Sequence, residues 1–171
     1  RAGSVVADPA QRGPMRCAWL AWLVVAMLFC HRDGAWAQSP SGTGPRRFTL
    51  LVASTDGGPG RARLRYPSKD TESLQRVLLE IGGVDGHDIE TLVDPDGATV
   101  EKKLLALRQK AAQTPGPKQF FFFYSGHSDE RGLLLFGSHL EYAKLRSLIT
   151  DIPVDVHIGI LDSCAAGAFA Q

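Results

Sequence analysis

The segment Gln119–Tyr124 sets four phenylalanines in a row ahead of a tyrosine. Side chains alternate between the two faces of an extended chain, so Phe120, Phe122 and Tyr124 go to one side and Phe121 and Phe123 to the other. A strand that is apolar on both faces is expected at the centre of a parallel sheet covered by helices on both sides. Any fold for this chain has to provide those covers.

The surrounding pattern supplies them. Phe48–Ser54 reads as a strand followed by a glycine-rich loop, Thr55–Pro67. Leu74, Val77, Leu78 and Ile81 recur at helical spacing and predict one inward helix face that stops at Gly82-Gly83. Glu90–Val93 is a short strand closed by the turn Asp94-Pro95-Asp96-Gly97. A second helix is expected over about 100–112, with Val100, Leu104, Leu107 and Ala111 on one face and Thr99 as its N-cap, ended by Pro115-Gly116-Pro117. Leu133–Phe136 reads as a short strand, and Tyr142–Ile149 as a helix with Tyr142, Leu145, Leu148 and Ile149 inward. Val154–Leu161 is the last strand. Strands alternating with helices predict an α/β fold, a mostly parallel sheet sandwiched by helices.

Ahead of this region, residues 15–37 have the layout of a secretory signal. Met15 and Arg16 precede an apolar run from Cys17 to Cys30, and Ala35-Trp36-Ala37 forms an A-x-A cleavage site. Cleavage after Ala37 is expected, and with it export to the periplasm or the medium. The apolar run is short for a membrane span, which needs about 20 residues, so no stable span is expected once the signal is removed. The residues before Met15 read as lying upstream of the true start, residues 38–47 as a Ser/Gly/Pro-rich linker, and residues 48–171 as the folded domain. With 44% hydrophobic and 22% charged residues and a net charge of +1, neither disorder nor a nucleic-acid partner is expected. Of the three cysteines, Cys17 and Cys30 leave with the signal. Cys164 then has no partner within the chain, so its thiol is a core residue, an intermolecular bridge or a reactive group.

In open α/β sheets, sites form in the crevice beyond the carboxyl ends of the strands. The aromatic strand runs directly into Ser125-Gly126-His127-Ser128, and the last strand into Asp162-Ser163-Cys164-Ala165-Ala166-Gly167. Neighbouring strands lie about 4.8 Å apart, so side chains from the two ends can meet. A thiol becomes a competent nucleophile as thiolate, and an adjacent imidazole lowers its pKa and later protonates a leaving amine. The competing reading of Cys164 is an inert residue at the end of a buried strand. His139 and His157 have no Cys/His spacing that suits zinc. Gly57-Gly58-Pro59-Gly60 lacks the Gly-Lys-Ser/Thr ending of a phosphate cradle.

Tyr124-Ser125-Gly126-His127 and Leu161-Asp162-Ser163-Cys164-Ala165-Ala166-Gly167, each after an apolar strand, resemble the histidine and cysteine motifs of the caspase/metacaspase superfamily of cysteine endopeptidases, especially its bacterial caspase-like members. The resemblance extends over most of 48–169, and Leu64–Asp70 is similar to the segment where metacaspases carry an Asn-Asp pair opening the first helix. It implies His127 and Cys164 as a catalytic dyad working through an acyl-enzyme, with backbone N–H groups of Ser128 and Cys164 as oxyanion site. It further implies Asp70 and Asp162 as carboxylates that bind a basic substrate side chain, which two carboxylates at one mouth would favour. Two departures stand out: Ser128 where the family commonly has glycine, and Ala166 where it has serine.

Alternatives remain at each of these points. Asp70 also suits a helix N-cap. Arg61, Arg63 and Arg65 in the first loop offer an acidic-residue pocket instead, although the two matched aspartates weigh toward a basic one. A catalytically idle caspase-like binding or sensor module is the rival from another class. The resemblance implies a protein or peptide substrate and no cofactor. Calcium, which metacaspases often need, would be held by acidic residues beyond the cysteine and is left open. Because the caspase fold carries further strands and loops past this cysteine, the 171 residues are expected to be a fragment, incomplete at the C-terminus and inactive alone.

Overall fold

A computed structural model describes residues 44–170. The expected signal, its cleavage site and most of the expected linker lie outside the described residues. β1 (Arg46–Ala53), β2 (Ile89–Val93), β3 (Lys118–Ser125) and β6 (Val156–Asp162) form one sheet in the order β2-β1-β3-β6, every neighbouring pair parallel. β4 (Gly132–Leu135) and β5 (Ser138–Glu141) form a separate antiparallel hairpin. Three helices connect these strands: α1 (Pro67–Glu80), α2 (Gly97–Ala112) and α3 (Tyr142–Thr150). The α/β sandwich expected from the strand–helix alternation is therefore the observed architecture. No helix among the described residues is long and apolar enough to cross a membrane.

The two faces of the sheet are covered unequally. Phe48, Leu50, Val52, Phe120, Phe122 and Tyr124 point to one side, where Val100, Leu104, Leu107 and Ala111 of α2 and Leu145, Leu148 and Ile149 of α3 bury them completely. Both helices present the faces their spacing predicts. On the other side α1 alone packs, and the cluster there is small: Leu51, Val84, Ile89 and Phe123, with Leu74, Leu78 and Phe121 only partly buried. The aromatic strand is thus central, as expected, but sealed on one face and half-covered on the other.

That thin cover corrects the reading of α1. Val77 and Ile81, expected inward, are exposed, and the buried positions are Pro67 and Thr71. The face in contact with the sheet is therefore Pro67, Thr71, Leu74 and Leu78, one turn nearer the N-terminus. Pro67 opens the helix, where its missing N–H costs nothing and its fixed φ suits the first turn. Asp70 accordingly lies inside the first turn, its N–H donating to the Tyr66 carbonyl, and is not the cap.

The cap of α2 also differs from expectation. Asp96, extended at φ −81° and ψ 167°, accepts the Thr99 N–H at 2.8 Å, so Asp96 is the N-cap and Thr99 sits in the first turn. β4 ends at Leu135, and Phe136 is exposed in a turn where Gly137 takes φ +65°. The strand β5, rich in polar residues and half-exposed, has no apolar run to announce it. β6 begins at Val156 and stands at the sheet edge with Val156, Ile158 and Ile160 exposed.

Candidate active site

The chain leaves β1 for β2 on one side and returns from β2 to β3 on the other, so the order of the sheet reverses between β1 and β3. A crevice opens outside the carboxyl ends of strands at such a switch point. The loop after β1 (residues 54–66), the loop after β3 and the loop after β6 all end there. They carry the candidate residues.

β3 and β6 pair in register to their last residues, Ser125 opposite Asp162, and the Gly126 N–H continues the ladder to the Asp162 carbonyl at 3.3 Å. His127 and Cys164 each follow this last pair by two residues. Beyond them a second bond closes the gap: the Ala165 N–H donates to Ser128 Oγ at 3.1 Å. The two candidates are therefore bracketed by cross-links between their loops. Among the described residues Cys164 is a free, exposed cysteine. The N–H groups of Ser128 and Cys164 are engaged by no other group among the described residues.

His127 is held from the β1 side. Its Nε2 lies 2.8 Å from the Ala62 carbonyl. A carbonyl only accepts, so Nε2 carries the proton and Nδ1 is the basic nitrogen. Gly57 forms a wall of the imidazole: a Cβ built there would come within 2.5 Å of His127 Cδ2. The Tyr124 hydroxyl donates to the His127 carbonyl at 2.6 Å, and burial keeps that phenol neutral by raising its pKa. Gly126 is required here too, because a Cβ would meet the Tyr124 hydroxyl at 2.5 Å.

The loop that presents Gly57 and Ala62 is itself clamped. Asp94 at the end of β2 adopts φ +47°, a left-handed conformation that aspartate tolerates at a cost. It accepts the Thr55 N–H at 2.6 Å and the Thr55 hydroxyl, and it pairs with Arg63 at 3.4 Å. Burial works to raise the Asp94 carboxyl, but the Thr55 hydrogen bonds and Arg63 together hold it below the ordinary carboxylate range. Residue types gave no sign of this clamp or of the Ala62 contact. The first depends on a strained backbone and the second on a carbonyl common to every residue.

Asp70 and Asp162 both stand at this end of the sheet, Asp70 in the first turn of α1 and Asp162 at the last position of β6. Neither carboxylate makes a hydrogen bond or ion pair to a described residue. They are not joined to each other, to His127 or to Cys164. Of the three loop arginines, Arg63 is occupied by Asp94 and by Thr55 Oγ1, while Arg61 and Arg65 are exposed. His139 pairs with Asp129, and His157 Nε2 donates to the Ile152 carbonyl. Among the described residues no three His, Cys, Asp or Glu side chains converge to hold a metal.

Comparison with known proteins bears on the same region. Among solved structures, the chain is similar to protein GSU0716 from Geobacter sulfurreducens, with a TM-score of 0.56 and 21% identity over 70% of this chain and 51% of that one. This supports the fold, and the chain spans about half the length of that neighbour. No curated protein matches. The family model described as caspase domain matches residues 46–169, which include β1 to β6 and both candidate residues. The chain belongs to the caspase domain family, within the caspase-like cysteine peptidases.

Proposed function

We propose that this chain carries the catalytic dyad of an exported, metacaspase-like cysteine endopeptidase that cleaves after arginine or lysine. The observation that carries the reading is the bracketing of His127 and Cys164 between the Gly126–Asp162 and Ser128–Ala165 hydrogen bonds, with Nε2 of His127 tied to Ala62. Nδ1 is then the nitrogen free to take the Cys164 proton. The resulting thiolate attacks the scissile carbonyl carbon, and the oxygen becomes an oxyanion facing the free N–H groups of Ser128 and Cys164. The imidazolium returns its proton to the departing amine as the C–N bond breaks. Water, deprotonated by His127, then splits the thioester and releases the acid.

A basic preference rests on Asp70 and Asp162, two carboxylates at the mouth without cationic partners among the described residues. The acidic alternative loses one of its three arginines to Asp94. Export rests on the Met15–Ala37 pattern. The test is active-site labelling of the full-length gene product with thiol-reactive peptidyl ketones ending in arginine or aspartate. The arginine probe is expected to label Cys164, and the label should vanish in Cys164→Ala and His127→Ala. Labelling that survives His127→Ala refutes the dyad, and preference for the aspartate probe refutes the pocket. A folded protein that takes neither probe is the idle module.

A further inference from the structure

We propose that the Ser128 side chain is a positioning group: its hydroxyl clasps the peptide after Cys164 to the histidine loop and so sets the thiol–imidazole approach. This rests on the dyad reading above. Ser128 is fixed on its own side, because the Leu134 N–H donates to the His127 carbonyl at 2.9 Å and the Asp129 N–H to the Gly132 carbonyl at 3.0 Å. These bonds flank Ser128 and lock it against β4, where it bridges Leu133. Its Oγ is thus a rigidly mounted acceptor.

The other side needs such a mount. Cys164 lies on a turn that leaves an exposed edge strand and enters a short 3-10 segment, Ala166–Ala170. Ala165 is gripped on both sides: its N–H donates to Ser128 Oγ at 3.1 Å, and its carbonyl accepts from the hydroxyl of buried Tyr142 at 3.2 Å. Tyr142 packs edge-on against Phe169 at 5.7 Å, and Arg146 donates to the Phe169 carbonyl at 2.7 Å. α3 therefore holds the segment to the core, and among these contacts Ser128 is the one that ties it to the histidine loop. Without Oγ, the backbone bond from Gly126 to Asp162, at a longer 3.3 Å, is the remaining cross-link between the two loops among the described residues. The clasp also consumes the Ala165 N–H, leaving those of Ser128 and Cys164 as the oxyanion donors.

The test uses Ser128→Ala, Ser128→Thr and Tyr142→Phe in the full-length protein. Two readouts are taken: the pH profile of Cys164 alkylation by iodoacetamide, and kcat and KM on a fluorogenic peptide ending in arginine. Ser128→Ala is expected to change the alkylation profile, lowering the rate of Cys164 alkylation at neutral pH about tenfold. It should lower kcat about 10- to 100-fold with KM nearly unchanged, the pattern of a misplaced reacting pair. Ser128→Thr keeps the acceptor and should restore both readouts. Tyr142→Phe should shift them in the same direction by less. A Ser128→Ala protein with the wild-type profile and kcat overturns the clasp, as does a Thr variant no better than Ala. His127→Ala separates the two claims: if it leaves the wild-type alkylation profile unmoved, the dyad reading fails and the clasp with it. If it moves the profile and Ser128→Ala does not, the clasp alone fails.

Discussion

Gly57 matters at the site for what it lacks. It is buried, and the Cβ of alanine would come within 2.6 Å of His127 Cγ and 2.8 Å of Arg61 Cδ. The arginine end can swing away, but the imidazole is also held at Nε2 by Ala62, so the added methyl has to push the ring off that carbonyl. Gly57→Ala is accordingly expected to lower kcat/KM at least about tenfold, because small displacements of a reacting group cost this much or more. The melting temperature should change little, since a surface loop and not the core is disturbed. Activity at the wild-type level would show that the ring has another place to sit. The placement of His127 and Cys164 just past two adjoining strand ends was legible in the sequence, because each follows an apolar run directly. Ala62 was not, because its contribution is a backbone carbonyl, and Gly57 showed only as part of a loop.

The buried faces of helices α2 and α3 were legible, and that of α1 was not, for one physical reason. Periodicity reports a buried face correctly where the partner surface is broad, as it is against Phe48, Phe120 and Phe122. α1 meets a small cluster and leaves Val77 and Ile81 in solvent, so its apolar spacing overstated its burial. The hairpin strand β5 escaped because Ser138, His139 and Glu141 give it no apolar alternation. The cap of α2 is testable at this scale. The Asp96 carboxylate is held below its ordinary range by its hydrogen bond to Thr99. Asp96→Ala is expected to lower the urea midpoint, because the Thr99 N–H loses its acceptor. Thr99→Ala, which removes an exposed side chain and leaves the N–H in place, should stay within about 0.5 kcal/mol. Urea denaturation of both variants decides the assignment, and the reverse order of effects would return the cap to Thr99.

Across the whole molecule, strand–helix alternation foretold a parallel sheet but not its order, because nothing local distinguishes β2-β1-β3-β6 from other windings. The order places three loops at one switch point and leaves β6 on the edge. At the opposite end a buried carboxylate holds the layers together. Asp88, 2% exposed, is bonded by Arg46 of β1 at 2.6 and 2.9 Å and by Lys110 of α2 at 2.8 Å. Both cations also lie over the Phe48 ring, at 5.3 and 5.8 Å. Burial alone would raise the Asp88 pKa, but the bonds from Arg46 and Lys110 outweigh it and lower the value. A carboxyl whose folded pKa is depressed adds stability that is fully present above its unfolded pKa, about 3.9. That stability is lost as the pH falls through this value toward the folded one. The urea midpoint of the wild-type protein should therefore hold steady with respect to this group from pH 7 to about 5 and fall below pH 4. Asp88→Asn is expected to be less stable at pH 7, because Arg46 and Lys110 lose their shared anion, and to show a shallower decline below pH 4. An acid decline as steep as that of the wild type would assign acid sensitivity to Asp94, Asp96 and Asp129, whose carboxyls are also depressed, and not to the tie between β1 and α2.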